Sequence, residues 1–226
     1  MIEGRLSYLI NEIKFFCLKF FFFHTLIIAF YAEYSGDNGI IFFTMKLFKI
    51  YTYKDEVLHQ KATEVSLPIS EEERNRLLDR VEYLKKSQDD DFANEHGIRS
   101  GVGIAAPQIG VSKRRFAIYF EDSNGKKYEY GLVNPKIVSS RVKRAYVSTG
   151  EGCLSVPKDV PGYVYRYYRI TLKAFDVVSN KDVTLHLSGY PAIVFQHEYD
   201  HLDGVLYIDK INKKDPFYKD PEAVAI

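Results

Sequence analysis

The sequence predicts an α+β fold, with antiparallel β-sheets around a late, buried helix and an amphipathic helix near the start of the domain. Three observations predict it. Apolar residues recur at helical spacing after Ser70, short β-rich runs extend from Arg115 to Leu187, and an apolar helical segment lies between Pro191 and Gly204. Because the chain has 226 residues, 46% of them hydrophobic, it is long enough for one full-sized core.

The first helix is predicted from its ends and its apolar face. Ser70 is a suitable N-cap with Glu73 three positions later, and Lys85 and Lys86 lie at the carboxyl end, where cations are favoured. The apolar residues on one face are Leu77, Leu78, Val81 and Leu84. The polar segment that follows, residues 89–100, is predicted to be a loop.

The strands are predicted from five short runs that are rich in aromatic and β-branched residues. These runs cover residues 116–120, 128–133, 144–147, 168–175 and 182–187. Turn residues at 123–125 and 179–181 predict two hairpins, so the strands are expected to be antiparallel.

The late helix is bounded by Pro191, which suits a first turn, and Gly204, which suits a C-terminal cap. Residues 192–195 are all apolar, so the first half of the helix is expected to be buried in the centre of the domain. The second half carries the H-E-x-x-H pattern, with His197 and His201 four positions apart and therefore on one face.

Two interpretations of this histidine pair are open. The rings could bind a metal, with Glu198 turned by about 100° and able to reach a ligand of that metal. They could instead share a polar stripe with Asp200 and Asp203. The apolar surroundings favour the metal, because buried imidazoles without partners are costly.

Two helical histidines make an incomplete catalytic site, which usually has three protein ligands and one open position. Cys153 is the strongest candidate for the third, since Gly150 and Gly152 allow a tight backbone approach and it lies 197 − 153 = 44 residues before His197. In the alternative interpretation, Cys153 binds no metal and packs in the core like a small hydrophobic residue. The histidines expected to be on the surface or hydrogen-bonded in the core are His59, His96 and His186.

A third segment, GVGIAAPQIG at residues 101–110, is not a dinucleotide site. No G-x-G-x-x-G is present, no strand is predicted before it, and Pro107 would interrupt the required helix. Its small residues instead allow a substrate to approach the main chain, and Gln108 offers an amide donor.

The N-terminal fifth differs from the rest. Residues 1–5 are interpreted as an engineered protease-recognition scar and residues 6–44 as a targeting leader and linker, so the domain is expected to cover 45–226. The apolar run from Phe20 to Ala32 is too short for a bilayer span, and it suits the apolar part of a targeting leader. The alternative interpretation of this run is a Phe-rich helix packed on the domain. The linker is expected at residues 33–39.

Composition excludes few functions. Two cysteines, Cys17 and Cys153, lie in very different surroundings, which argues against a disulfide-stapled scaffold. A net charge of +1 gives no broad electrostatic reason to expect nucleic acid or an anionic membrane as partner.

Three segments in this order, GVGIAAPQ (101–108), EGCLS (151–155) and QHEYDH (196–201), resemble the signature motifs of peptide deformylases. The resemblance covers most of residues 45–210. It implies an α+β catalytic domain that hydrolyses the formyl group from the N-terminal methionine of new proteins. It also implies one divalent metal ion, natively Fe²⁺, with Zn²⁺, Ni²⁺ or Co²⁺ as substitutes.

Carried onto this chain residue by residue, the resemblance implies that Cys153, His197 and His201 bind the metal and that Glu198 is the general base. Gln108 and the backbone N–H of Leu154 would then donate hydrogen bonds to the developing oxyanion. The residues expected beside the substrate or around its methionine side chain are Val102, Gly103, Glu151, Tyr190 and Ile193.

The resemblance further implies N-formyl-methionyl ends of nascent polypeptides as partners, near the ribosome, with no direct nucleic-acid contact and no stable membrane span. The leader suggests an organelle stroma or matrix, of plastid type or mitochondrial, and the alternative is the cytoplasm. One feature departs from the family. Many members have an arginine shortly after EGCLSVP, whereas this chain has KDVPGYV, so no preference beyond the first methionine is predicted.

Two rival functions remain open at this level. A general metalloprotease shares H-E-x-x-H but typically recruits His or Glu as third ligand, so a position of Cys153 away from the histidines would favour it. A catalytically inactive metal-binding or interaction domain is the second, and the absent downstream arginine is its only support.

Overall fold

The structure, a computed structural model, describes residues 22–23, 26–34 and 40–226, with side chains described from residue 47 onward. These residues form two compact units that divide between Lys49 and Ile50. Met45, the predicted start of the domain, lies inside a strand of the first unit. None of the helices in the described part of the chain combines the length and apolarity that a bilayer crossing needs.

The described part of the first unit is an antiparallel sheet in the order β1-β2-β3. Its strands are β1 (Phe22–Phe23), β2 (Leu26–Tyr34) and β3 (Ile40–Phe48). The helix considered for residues 20–32 is therefore wrong for the described part of that run, because its Ile, Phe and Tyr residues favour strands. The scar at 1–5 and most of the linker, 35–39, lie outside the described residues.

The second unit contains a five-stranded antiparallel sheet in the order β10-β9-β6-β5-β4. Its strands are β4 (Gly103–Ala105), β5 (Arg115–Glu121), β6 (Lys127–Ser140), β9 (Arg169–Asp176) and β10 (Lys181–Ser188). A smaller sheet joins β7 (Arg144–Tyr146) to β8 (Arg166–Tyr167) and, in parallel, to β11 (Val224–Ala225).

The predicted α+β class is confirmed, and each of the five predicted runs lies on a strand. Both predicted turns are also present. Gly125 and Asn180 adopt positive φ angles of 78° and 55°, which these residue types tolerate in tight turns.

The helices of the second unit are α1 (Glu71–Ser87), α2 (Asp90–His96), α3 (Tyr190–Leu202) and α4 (Tyr207–Lys210), with short 3₁₀ turns at Glu56–His59 and Ala106–Ile109. The predicted cap of α1 is present, since the Ser70 hydroxyl accepts a hydrogen bond from the Glu73 N–H at 3.2 Å.

The predicted loop at 89–100 is wrong for residues 90–96, which form α2. The Asp89 carboxylate caps this helix by accepting a hydrogen bond from the Phe92 N–H at 3.1 Å, and Gly97 ends it with a φ of 62°. Phe92 and Ala93 are buried, so this short helix is held by two apolar contacts that its polar composition concealed.

Helix α3 is the central element of the second unit and packs against β4, β5 and β10. Its Phe195 is fully buried, with its ring centroid 6.1 Å from that of Phe116 and 5.9 Å from that of Tyr130. The burial predicted from residues 192–195 is thus confirmed. A helix anchored so firmly presents its second half, with the two histidines, at a defined position.

Candidate metal centre

Three side chains from two distant segments meet in the second unit. The ligand atoms of Cys153, His197 and His201 all lie within 4.8 Å of one another, and the Cys153 Sγ is 3.3 Å from the His201 Nε2. The histidines are presented by α3, and Cys153 comes from the loop after β7, where Gly150 has a φ of 85°. Of the two interpretations of the histidine pair, this geometry supports the metal rather than the polar stripe.

Glu198 lies beside the three side chains and is almost fully buried. Its Oε2 has no hydrogen-bond partner among the described residues. Burial is the main cause that raises its pKa to about 7, with the nearby charge of His197 opposing the shift. A carboxyl group with such a pKa can both accept and return a proton near neutral pH.

Gly103 is required at its position because of Glu198. A Cβ atom on residue 103 would lie 2.5 Å from the Glu198 Oε1, far inside van der Waals contact. The absence of a side chain at this point of β4 therefore makes room for the carboxylate.

The Gln108 side chain is oriented by the main chain. Its Oε1 accepts a hydrogen bond from the Ala105 N–H at 2.8 Å, which turns the Nε2 toward the Cys153 Sγ at 3.5 Å. The backbone N–H of Leu154 makes no hydrogen bond to any residue in the described part of the chain. The Gln108 Nε2 and the main-chain N–H that follows Cys153 are thus two available donors.

The predicted site residues share one cavity of about 350 Å³. Its lining includes Cys153, His197, Glu198, Gln108, Leu154, Val102, Gly103, Glu151, Tyr190 and Ile193. His201 is the exception, because it is 1% exposed and lies beneath the cavity surface.

Glu151 lines the cavity as predicted, but its carboxylate is bound to protein groups. The Oε2 accepts from the His197 Nδ1 at 2.8 Å, and the Arg166 guanidinium pairs with both oxygens at 2.6 and 2.9 Å. Burial acts to raise the pKa of Glu151, and the Arg166 and His197 charges outweigh it and lower that pKa to about 2. The carboxylate therefore fixes the His197 ring with its Nε2 directed away from Glu151.

Sequence reasoning missed the charged residues behind this carboxylate. Arg166 also binds the Asp200 Oδ2 at 2.6 Å, and the Lys210 Nζ is 2.6 Å from the same oxygen. Tyr207 stacks on His197 with ring centroids 6.0 Å apart. An arginine at the start of a short strand signals a buried partner, but no local pattern identifies which carboxylate it meets.

Arg99 is a further residue that sequence reasoning missed. Its Nη1 donates hydrogen bonds to the backbone oxygens of Cys153 at 3.2 Å and Val156 at 3.0 Å. It therefore ties the cysteine loop to the segment before β4. The other histidines agree with the prediction, since hydrogen bonds connect His59 to Tyr53, His96 to Phe92 and His186 to Thr171.

The residues present fit a soft divalent cation. A thiol and two imidazoles are the donor set that Zn²⁺ and Fe²⁺ accept, and burial lowers the pKa of His201, which keeps the ring neutral as a ligand must be. The fold and the site thus define a class, an α+β protein with a candidate metal centre of the hydrolytic H-E-x-x-H type. The position of Cys153 beside the histidines also disfavours the general metalloprotease.

Comparison with known proteins gives the family. Residues 47–217 match the family model of polypeptide deformylases. A peptide deformylase of Oceanobacillus iheyensis is 52% identical over 160 residues, which are 71% of this chain and 87% of that protein. Peptide deformylase 2 of Geobacillus stearothermophilus is 52% identical over 169 residues, 75% of this chain and 91% of that protein.

Among solved structures, a probable peptide deformylase from Synechococcus phage S-SSM7 superimposes with a TM-score of 0.59 at 33% identity, covering 73% of this chain and 99% of that one. The chain belongs to the peptide deformylase family. It is a metal-dependent hydrolase that removes the N-formyl group from nascent polypeptides, which also excludes the inactive interaction domain.

The predicted organelle location is wrong. The curated relatives at 47–52% identity come from bacteria such as Oceanobacillus, Staphylococcus, Geobacillus and Bacillus, which have neither plastids nor mitochondria. The apolar composition of the N-terminal segment suggested a transit peptide, but its described part consists of strands.

Proposed function

We propose that Cys153, His197 and His201 bind one divalent metal ion and that the cavity above them is the deformylase active site. The observation that carries the proposal is the convergence of their ligand atoms within 4.8 Å, beside a buried carboxylate. Fe²⁺ is the proposed native ion, with Zn²⁺, Ni²⁺ or Co²⁺ as substitutes, since this donor set accepts each of them.

When bound, the metal would acidify a water molecule so that it loses its proton near neutral pH. Glu198 is the proposed base, because it lines the cavity, its Oε2 has no hydrogen-bond partner among the described residues, and its pKa of about 7 suits proton transfer in both directions. After water attacks the formyl carbon, the same carboxyl group returns the proton to the departing amine.

Gln108 and Leu154 are the proposed donors to the formyl oxygen as it gains negative charge. The Nε2 of Gln108 is directed toward the centre by the hydrogen bond to Ala105, and the Leu154 N–H has no partner among the described residues. Such preorganised donors typically contribute about 10²–10³-fold each.

The methionine side chain is proposed to lie against Val102, Tyr190 and Ile193. Tyr190 is held edge-on against Phe120, with ring centroids 5.5 Å apart, so this wall is preformed. The peptide main chain would pass Gly103, beside the Glu198 carboxylate that occupies the space of the missing side chain. The proposed role of Glu151 is to orient His197 at the edge of the substrate path.

The catalytic domain is proposed to begin near Met45 and to include the rest of the chain. Its substrates are the formyl-methionyl ends of nascent polypeptides, so we place the working enzyme close to the ribosome. The relatives' shared name supports the substrate class.

A formyl-Met-Ala-Ser peptide tests the proposal. Enzyme purified without oxygen is expected to contain about one Fe²⁺ per chain and to release formate, measured with a coupled formate dehydrogenase. Peroxide is expected to inactivate the iron form and spare a Zn²⁺-exchanged form, because only the former has a redox-active metal beside the thiolate. Metal at this stoichiometry without formate release would refute the proposed site.

A further inference from the structure

Strand β7 continues into one wall of the catalytic cavity. Val147, Thr149 and Gly150 line the cavity directly after the strand ends at Tyr146. Ser148 lies between these wall residues and does not line the cavity itself. The position of the wall therefore depends on what holds Tyr146 and Ser148 in place.

One edge of this segment is bound by residues 216–226, which we define as the strap. Its strand β11 pairs in parallel with β7, and the Ile226 N–H donates to the Tyr146 carbonyl at 2.9 Å. The main-chain oxygen of Ile226 accepts two hydrogen bonds from Ser148, one from its N–H at 2.8 Å and one from its hydroxyl at 2.9 Å. These bonds fix the residue that separates two residues of the cavity wall.

The strap has a second attachment at its other end. The Tyr163 N–H donates to the Pro216 carbonyl at 2.7 Å, and the Tyr165 hydroxyl donates to the Tyr218 carbonyl at 2.5 Å. The same hydroxyl accepts a hydrogen bond from the Asp220 N–H at 2.9 Å. Main-chain groups of the strap thus make the hydrogen bonds at both attachments.

Burial contributes little to holding the strap. Phe217 and Tyr218 are 54% and 50% exposed, Ile226 is 37% exposed, and none of the residues 216–226 is fully buried. A segment with few buried apolar contacts and exposed hydrogen bonds opens at a low free-energy cost. The strap can therefore leave β7 while the core of the second unit stays folded, and the wall then loses its support.

We propose that Ile226 and Ser148 are positioning residues for the substrate, because the docked strap holds Val147 and Thr149 where they fit the formyl-methionyl end. Docking of the strap and binding of the substrate are then coupled, since both favour the same arrangement of the wall. Such coupling is reciprocal, so each event strengthens the other. The inference rests on the proposed function, in which this cavity takes the substrate and Glu198 transfers the proton.

Steady-state kinetics of the metal-loaded enzyme with formyl-Met-Ala-Ser test the inference. Removal of residues 224–226 is expected to raise KM about tenfold and Ser148→Ala about threefold, since several hydrogen bonds are lost in the first variant and one in the second. The kcat should stay within about twofold of the wild-type value, because the groups proposed to transfer protons do not move. Ser148→Thr keeps a hydroxyl and should restore the KM.

The matched control is Ser123→Ala, which removes an exposed hydroxyl in the turn between β5 and β6 and should leave KM unchanged. A loss confined to kcat, or an unchanged KM in both strap variants, would overturn the inference. If the shortened chain does not fold, Ser148→Ala and the exchange measurement below decide.

Hydrogen exchange distinguishes coupling from a merely structural role. In metal-loaded Glu198→Gln, saturating formyl-Met-Ala-Ser is expected to slow exchange of the amides at 146–150 and 224–226 severalfold, because the bound peptide favours the docked strap. Exchange that is the same with and without bound peptide would refute the inference. Wild-type enzyme that releases formate while the strap ignores the peptide refutes only this inference, whereas wild-type enzyme that releases no formate refutes the proposed function.

Discussion

At the scale of single residues, the site depends on a carboxylate that the fold keeps out of water. Glu198 is 4% exposed, and one of its oxygens has no partner among the described residues, which is costly unless a bound ligand or proton transfer uses it. Burial of Glu198 therefore lowers the stability of the folded state, but it makes the carboxyl group well suited to proton transfer.

Glu198→Gln is expected to keep the metal and lose about 10²–10⁴-fold in kcat, because the amide has nearly the same shape but cannot accept a proton. Metal analysis and the formate assay on one preparation measure both effects. Glu95→Gln, an exposed change on α2, is the control and should leave both unchanged. Full activity in Glu198→Gln would exclude the assigned base.

Gly103→Ala is expected to lower kcat with little loss of fold. The added methyl would lie 2.5 Å from the Glu198 Oε1, so the carboxylate must move from its position. Gly152→Ala is a steric control on the same cavity, since its methyl meets only the Asp159 Oδ1 at 3.6 Å. Comparison of kcat and circular dichroism separates the two, and equal activity of both variants would contradict the role given to Gly103.

At the scale of elements, three separate segments hold one imidazole. Glu151 comes from the loop after β7, Arg166 from β8 and Asp200 from α3, and together they form a buried chain of ion pairs that ends on His197. Ion pairs of this kind are costly when one member is removed, because the remaining charges stay buried.

Arg166→Met is expected to lower the free energy of unfolding by about 3–5 kcal/mol, because two carboxylates lose their buried partner. It should also weaken metal affinity by about 10–100-fold through the loss of orientation of His197. Urea denaturation and metal titration measure these. The control is Arg76→Met, which breaks an exposed ion pair with Glu72 on α1 and should lower the free energy of unfolding by less than about 1 kcal/mol. An equally small loss in Arg166→Met would show that the buried chain of ion pairs does not stabilise the fold.

Local sequence predicted the elements unevenly. The ends of α1 and α3 follow from Ser70, Pro191 and Gly204, since caps and breakers act over a few residues. Helix α2 was missed because a polar stretch contains only Phe92 and Ala93 as apolar contacts, and their burial depends on the rest of the unit. The leader at residues 6–44 stays a prediction from composition, and the described part of this run forms strands because its Ile and Phe residues favour them.

At the scale of the whole molecule, metal binding and folding are coupled. The ligands lie 44 residues apart in sequence, between residues 153 and 197, so the unfolded chain cannot assemble them. An ion that binds only the folded state stabilises that state by mass action. The free energy of unfolding rises by about 2.7 kcal/mol when the concentration of free ion is a hundredfold above its Kd.

Removal of the metal is therefore expected to lower the melting temperature, and re-addition of Zn²⁺ should restore it. Cys153→Ala should abolish this metal-dependent gain, because one of the three ligands is lost. His96→Ala, whose ring stacks on Phe92 away from the centre, should keep the gain. Scanning calorimetry with and without the ion measures it, and an undiminished gain in Cys153→Ala would place the metal elsewhere.

The sequence by itself determined the fold class, most of the elements of the second unit, and the motifs that are proposed to carry the chemistry. These depend on periodicity, caps and short motifs, which act within a few residues, and Cys153, His197, Glu198 and Gln108 all lie in such motifs. Only the tertiary structure decided which groups support them: the Glu151–Arg166–Asp200 chain and the hydrogen bonds from Arg99 to the cysteine loop. The physical reason is that these partners are far apart in the chain, and long-range pairing is set by how whole sheets and helices pack.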